Sequence, residues 1–242
     1  MSGLAPEHML AQDQGVISRR PGFEEELEAG VGVGEVEGTL ILTNKRLIFV
    51  CTNEREDDLT GENALNPLEK TRFVYSEVED LAQVPEGSPN IFIPISAMVS
   101  VKGEHGGLER ASLEVRWNSE EGEKGAVFSE ELMGKKKTLK DWAPVIENLK
   151  AGRQKLVDLP PPPPLETLKG RILRVLSDFQ EKGVLDVEDE VETAFKVDLD
   201  PDEVQAACDE LSLEGALRKY PDPSGDVYYR RASRLGEDDL SS

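Results

Sequence analysis

The stretch Gly38-Thr39-Leu40-Ile41-Leu42-Thr43-Asn44-Lys45-Arg46-Leu47-Ile48-Phe49 carries the clearest structural signal in the chain. It contains two apolar runs, 39–43 and 47–50, which are separated by the short polar segment 44–46. Apolar runs of this length joined by a tight polar turn predict an antiparallel β-hairpin. The first part of the chain is therefore expected to be built on an antiparallel sheet.

Further β-type segments follow this hairpin, and a helix closes the series. The candidate strands are 71–75, which is either a strand or part of a polar insertion, then 91–93 leading into 95–101, 113–117 and 125–128. Residues 138–150 have the apolar spacing of a helix, with Pro144 either kinking it or lying in its first turn. The order predicts about seven strands and one closing helix, in which Trp142 supplies a large apolar plug.

This order of elements, together with the residues that carry it, resembles a known superfold. The run Gly38–Phe49 is similar to the signature hairpin of GRAM and GLUE domains, which belong to the pleckstrin-homology superfold. Ile93-Pro94-Ile95-Ser96, followed by Val99-Ser100-Val101, resembles the next strand of that family, and Trp142 matches the tryptophan common on its last helix. The resemblance covers residues 23–152. It implies a bent sheet or barrel with a C-terminal helix.

Five consecutive prolines, 160–164, mark the predicted domain boundary. Such a run favours a stiff polyproline II rod, so we assign 153–164 as a spacer, with docking to an aromatic groove as the alternative. Residues 1–22 are expected to form a flexible N-terminus and 233–242 an acidic tail, of which 236–242 is expected to be mobile.

The part that follows the prolines, 165–232, has a different pattern. Three apolar helical stripes occur there, the third beginning with Asp200 as N-cap and Pro201 as the first helical residue. A β-hairpin is predicted from 216–220 and 227–231. Three helices and a hairpin in this order resemble a winged helix, so the predicted fold class is α+β with two domains.

A GLUE- or GRAM-like domain followed by a winged helix resembles the GLUE-bearing subunit of the ESCRT-II complex. That resemblance implies a first domain that binds ubiquitin or a phosphoinositide headgroup. It also implies a winged helix that docks to sister winged-helix subunits, in an assembly that recruits ESCRT-III-like proteins. This chain has room for one winged helix where eukaryotic members have two, and it has no zinc-finger insertion, as in a minimal, archaeal version.

Charge and composition exclude several classes of protein. The chain has 49 acidic against 28 basic residues and a formal net charge of −21, which repels nucleic acid and anionic membranes unless a basic patch overrides it. No apolar run approaches the ~20 residues of a membrane helix, and residues 1–14 do not resemble a secretory signal. Two distant cysteines, Cys51 and Cys208, are expected to be free thiols, which indicates a cytoplasmic protein, with peripheral membrane contact as a variant.

Motifs for catalysis, cofactors and metals are not evident in the sequence. The glycines of 30–34 lack the dinucleotide-binding spacing, and 198–202 lacks the glycine that a calcium loop needs at its sixth position, where Glu203 stands. Two histidines are too few for a zinc site or histidine-based acid–base chemistry. We therefore expect a non-catalytic protein without a cofactor.

Two groups of basic residues are candidate binding sites. Lys135, Lys136 and Lys137, with Lys45, Arg46 and Lys102, are a candidate mouth for anions or lipid headgroups, against the alternative of an ordinary solvated loop.

The second group, on the C-terminal hairpin, consists of Arg218, Lys219, Arg230 and Arg231. Strand alternation allows only about two of these charges on one face. The helix that would enter a DNA groove carries only acidic charges, so docking of an acidic protein is favoured and nucleic acid is an improbable partner. The expected function is an adaptor in an ESCRT-II-like sorting or membrane-remodelling system. The alternative is a winged-helix transcription regulator with an N-terminal sensing domain.

Overall fold

A computed structural model of the chain describes residues 6–19, 36–51, 81–82, 84, 90–105, 111–130 and 139–235. Within these ranges the fold is mixed α+β, with a seven-stranded and a three-stranded antiparallel sheet and four α-helices. The N-terminal elements are β1 (Met9–Arg19), β2 (Val36–Thr43), β3 (Arg46–Cys51), β4 (Ile91–Pro94), β5 (Met98–His105), β6 (Ala111–Ser119), β7 (Gly122–Glu130) and α1 (Leu139–Lys150). The C-terminal elements are α2 (Leu168–Val175), β8 (Lys182–Gly183), α3 (Val184–Phe195), α4 (Pro201–Leu213), β9 (Leu217–Pro221) and β10 (Val227–Arg231).

The larger sheet is curled but open. Its strand order is β4-β3-β2-β1-β7-β6-β5, so β4 and β5 form its two edges. These edge strands are nevertheless joined by a single 3₁₀ turn, Ile95–Ala97, so the sheet must bend to bring its edges towards each other. The segment 95–101, predicted as one strand, is therefore divided by that turn. The edges do not pair with each other, so the bent sheet that was predicted is not a closed barrel.

The strand β1 is the main correction to the sequence-based prediction. Residues 1–22 were expected to be flexible, yet Met9–Arg19 pairs with both β2 and β7 near the middle of the sheet. Its polar side chains Gln12 and Asp13 are only 3% and 5% exposed, and Gly15, with φ of 68°, lies where the register shifts. Polar residues and a left-handed glycine are typical of a loop, and tertiary pairing overrides that preference. The candidate strand 71–75 lies outside the described residues.

The N-terminal core lies inside the curl of the sheet, under α1. Trp142 is 2% exposed and belongs to a core cluster that also contains apolar side chains from all seven strands, which confirms that it is buried as predicted. The hairpin β2–β3 is apolar without alternation because both of its faces are covered. Leu40 and Leu42 face this core, whereas Ile41 and Ile48 pack with Leu81 on the other side.

Two contacts hold α1 in place. Its first residue, Leu139, donates its backbone N–H to the buried carboxylate of Glu130 at the end of β7, over 2.7 Å. Pro144 lies inside the helix and has no N–H, so it cannot donate to the carbonyl of Lys140. Gly103 of β5 lies against that carbonyl, where a Cβ would come within 2.5 Å of the oxygen. This close approach explains the glycine.

The C-terminal elements enclose a second core. The three helices pack against the hairpin β9–β10 around Tyr229, which is fully buried. Asp200 caps α4 as predicted, accepting a hydrogen bond from the Asp202 N–H over 2.9 Å. The first predicted helix is shorter than the apolar stripe in the sequence, which continues to Phe179. The helix ends at Val175, and Phe179 adopts a left-handed φ of 57° that a helix cannot accommodate. The short strand β8, which joins β10, was not predicted.

The end of the C-terminal part returns to the N-terminal sheet. Leu235 is 4% exposed and belongs to the N-terminal core. The hydroxyl of Ser233 donates to the Leu10 carbonyl, and Gln12 Nε2 to the Ser177 carbonyl over 3.4 Å. The predicted boundary of the tail at residue 233 is therefore too early for 233–235, and the segment 236–242, predicted to be mobile, lies outside the described residues. Apolar contacts with the sheet order residues 233–235.

A cleft of about 200 Å³ lies between the two parts of the chain. Its walls include Met9 at the start of β1, the prolines Pro160 and Pro162, Phe179, and Ala232. The proline run therefore borders a cleft that is lined by residues from both parts of the fold.

Candidate protein-docking surface

The basic residues predicted for an anion-binding mouth do not converge among the described residues. Lys45 is exposed in the turn between β2 and β3, and its carbonyl accepts the N–H of Ile95. Lys102 is four residues from Met98, the first residue of β5, and the rise along a strand places it about 13 Å from that end. Its cross-strand partner is Glu114. Lys135, Lys136 and Lys137 lie outside the described residues.

The guanidinium of Arg46 forms an ion pair within the chain. Its Nε lies 2.8 Å from the Glu7 carboxylate, which also accepts the hydroxyl of Thr43 over 2.7 Å. The guanidinium is stacked over the ring of Phe92, 5.8 Å from its centroid. These contacts tie the β2–β3 turn to the N-terminal segment, so Arg46 is not available as an independent anion ligand.

The C-terminal hairpin has two distinct faces. Tyr229 and Leu217 are buried and point towards the helices. Arg218 and Arg230 lie directly opposite each other across β9 and β10. Arg218 is the residue next to Leu217 in its strand, and Arg230 is the residue next to Tyr229. Because side chains alternate along a strand, both arginines emerge on the face turned away from the helices.

Two tyrosines extend this outward face. Tyr220 and Tyr228 are cross-strand partners, each two positions from one of the arginines, and all four side chains are half-buried. Arg230 is stacked over the Tyr220 ring, 5.1 Å from its centroid, and donates from Nη2 to the tyrosine hydroxyl over 2.8 Å. The Glu181 carboxylate also lies 3.9 Å from the Nη1 of Arg230. Together these contacts hold the guanidinium in a fixed place on the surface, where it remains partly exposed. We call Arg218, Tyr220, Tyr228 and Arg230 the Arg–Tyr face.

The other two basic residues of the hairpin, Lys219 and Arg231, contact side chains of the elements packed against its inner face. Lys219 donates to Asp209 of α4 over 2.6 Å, and Arg231 donates from Nη1 to the Ser177 hydroxyl over 3.0 Å. They are therefore structural contacts and not part of the outward face. The sequence-based prediction did not include the two tyrosines, although each lies two residues from an arginine of the same strand and therefore on the same face of the hairpin.

Acidic side chains dominate the helices beside this hairpin. On α4, Glu210 and Glu214 share the ammonium group of Lys169 at 2.9 and 2.6 Å. On α3, desolvation raises the pKa of Glu188, and repulsion from Glu192, Asp189, Asp200 and Asp198 adds to it. Carboxylates held this close together disfavour a polyanion on that side of the domain.

Comparison of the sequence with protein-family models and with curated proteins gave no match in either case. In the part of the chain that the structure describes, no helix has the length and apolar character needed to cross a membrane.

Proposed function

We propose that this protein is a non-catalytic adaptor that docks an acidic protein partner on the Arg–Tyr face of its C-terminal hairpin. The observation that carries this proposal is the pairing of Arg218 with Arg230 on an outward face, beside the cross-strand pair of Tyr220 and Tyr228. Arginine and tyrosine are the residues enriched in the energetic centres of protein interfaces. Two charges also suffice to orient an acidic partner during encounter.

The order of elements supports a winged-helix reading of the C-terminal part. A helix, a short strand, two helices and a hairpin follow one another from Leu168 to Arg231, and the short strand joins the hairpin in a three-stranded sheet. This is the arrangement that a winged helix requires. Seven curled strands followed by α1 are likewise in keeping with a pleckstrin-homology-like N-terminal part, although that sheet is open.

The combination favours an ESCRT-II-like adaptor, in which the C-terminal part docks to sister winged-helix subunits and the N-terminal part binds a ubiquitin-like protein. A lipid headgroup has less support as the N-terminal ligand, since Lys45 and Lys102 stand apart and Arg46 is paired. The competing transcription-regulator function is disfavoured because the helix that would enter a DNA groove, α4, carries four carboxylates, with a fifth on Glu214 at its C-cap.

Affinity capture with the full chain tests the proposal. We expect winged-helix proteins or ubiquitin-like proteins to co-purify from a lysate of the source cells. Recombinant forms of a captured winged-helix partner, the class proposed to dock on the C-terminal part, then allow association rates to be measured. The double variant Arg218→Glu/Arg230→Glu should slow association by about tenfold or more, because steering by the Arg–Tyr face is reversed.

The matched control is Lys45→Glu/Lys102→Glu, which changes the net charge equally at a distance from the hairpin. It should leave the association rate within about twofold of the wild type. Equal effects of the two double variants would place the docking surface elsewhere. Binding of the full chain to a random DNA duplex near physiological salt, with a steep salt dependence, would instead establish the regulator function.

A further inference from the structure

The proline run is an exposed rod. Proline fixes its own φ and keeps the residue before it out of the helical region, so Pro160 to Pro163 are all held in the polyproline II conformation. Pro160, Pro161, Pro162 and Pro164 are exposed, and Pro163 is half-buried. Polyproline II has three residues per turn, so Pro161 and Pro164 lie on one ridge of the rod. Pro160 and Pro162, in contrast, contribute to the wall of the cleft.

Both ends of this rod are anchored to the fold. The N–H of Val157 donates to the Arg234 carbonyl over 2.8 Å. At the other end the carbonyl of Pro164 accepts from the N–H and the hydroxyl of Thr167, over 3.0 and 2.7 Å. Gly170 of α2 approaches the same carbonyl so closely that a Cβ would lie 2.1 Å from the oxygen. A partner that binds this rod therefore has little conformational entropy left to remove.

The chemistry of the surface around the rod is apolar with acidic flanks. Five large hydrophobic side chains are exposed among the described residues, and two of them, Val157 at 45% and Leu165 at 50%, stand at the two ends of the run. Asp158 and Glu166, also exposed, lie next to these two residues. Asp158 lies between Val157 and the prolines, whereas Leu165 continues the exposed apolar surface of the rod as far as Glu166.

We infer that residues 157–166 are a docking ligand for a second partner, a domain with an aromatic-lined groove and a basic rim. Flat aromatic rings pack against pyrrolidine rings, and a groove between them accepts a ridge formed by prolines three positions apart. Pro161 and Pro164 provide that ridge. The flanking carboxylates require positive charge at the rim of the groove. This inference is independent of the Arg–Tyr face and does not rest on the proposed adaptor function.

Titration of the full chain with purified SH3, WW and EVH1 domains tests the inference, since these are the modules that bind polyproline II ligands through aromatic grooves. We expect at least one of them to bind with a Kd below about 1 mM. Pro161→Ala/Pro164→Ala should weaken that binding by about tenfold or more. The matched control Pro160→Ala/Pro162→Ala, on the cleft side, should weaken it by less than about threefold.

Charge reversal supplies a second test that does not disturb the prolines. Asp158→Lys/Glu166→Lys should weaken binding to the same domain by about fivefold or more at low salt, and by less at high salt. Thermal unfolding of each variant, followed by far-UV circular dichroism, checks that the fold is retained in both parts of the chain. The inference is overturned if no domain of the panel binds, if both proline pairs weaken binding equally, or if charge reversal leaves the affinity unchanged.

Discussion

The hydroxyl of Ser233 donates a hydrogen bond to the backbone carbonyl of Leu10 over 2.6 Å, joining positions 223 residues apart. Two residues further on, Leu235 enters the N-terminal core. The proline run thus separates two sets of elements in sequence, but the C-terminal set contributes a side chain to the core of the other. Cutting the chain at the prolines would remove part of that core.

Leu235→Ala should therefore destabilise the N-terminal part, although residue 235 follows the C-terminal elements. Removal of a buried leucine side chain costs about 2–5 kcal/mol in the free energy of unfolding. Both tryptophans of the chain, Trp117 and Trp142, lie in the N-terminal core, so urea unfolding followed by tryptophan fluorescence reports on that part alone.

Leu213→Ala is the matched control for this substitution. Leu213 is 89% exposed, so the same chemical change should alter the unfolding free energy by no more than about 0.5 kcal/mol when both variants are followed by far-UV circular dichroism, which reports on both parts of the chain. A fragment 1–158 as stable as the full chain would show that the docking of Leu235 contributes nothing.

Trp142→Ala should cost about 3–5 kcal/mol, because the ring fills the space between α1 and the curled sheet. Trp142→Phe retains part of the apolar volume and should cost less. The remaining Trp117 still reports unfolding in both variants. A loss below about 1 kcal/mol for Trp142→Ala would contradict the closing role of α1.

Elements with a local signal in the sequence were predictable. The hairpin β2–β3 has two apolar runs and a short turn, α1 has helical spacing, and α4 has a capping aspartate and proline. The strand β1 has no such signal, since Gln12 and Asp13 are buried by pairing with strands that are distant in sequence. Only the tertiary structure decides that a polar segment lies in the middle of a sheet.

The candidate site was predictable to the same extent. Alternation along a strand places at most one residue of each neighbouring basic pair on the outer face, and Arg218 and Arg230 are the two that lie there. The inner contacts of Lys219 with Asp209 and of Arg231 with Ser177 depend on how the helices pack against the hairpin. No spacing rule within the hairpin gives those partners.

Gly170→Ala should destabilise the chain, although alanine is favoured over glycine in a helix by about 1 kcal/mol. The added Cβ would lie 2.1 Å from the Pro164 carbonyl oxygen, so either the proline run or α2 must shift. We expect a net loss of about 1–3 kcal/mol in urea unfolding followed by far-UV circular dichroism. A gain in stability would show that the proline rod is not seated against α2.

Cys208 should react very slowly with thiol reagents in the folded chain. Burial raises the pKa of its thiol to about 12, with a further contribution from the charge of Asp209. In a Cys51→Ala variant at pH 8, we expect modification at least about 100-fold slower without urea than in concentrated urea. Rapid reaction of the folded variant would mean that the core around α4 is open to solvent.

The contact between Asp209 and the hairpin makes the stability of the C-terminal part depend on pH in a defined direction. The pKa of Asp209 is lowered because Lys219 donates to its carboxylate, and Tyr229 Oη donates to the same oxygen over 2.6 Å. The pKa of Tyr229 is raised, first by burial and then by its hydrogen bond to Asp209. Gln205 donates to the tyrosine oxygen as well.

The sign of each effect follows from which state binds the proton more tightly. The folded state binds the Asp209 proton less tightly than the unfolded state does. The ionised carboxylate therefore stabilises the fold fully above the unfolded pKa of about 3.9. This contribution is lost as the pH falls through the lower pKa of the folded state. Urea unfolding followed by circular dichroism should therefore show the difference between wild type and Asp209→Asn shrinking below about pH 4. Tyr229 acts in the opposite direction, because stability falls as pH rises above about 10, where the unfolded tyrosine ionises and the folded one does not. Tyr229→Phe should remove that alkaline loss. Parallel curves for wild type and Asp209→Asn across the acid range would mean that the contact between α4 and the hairpin does not couple to folding.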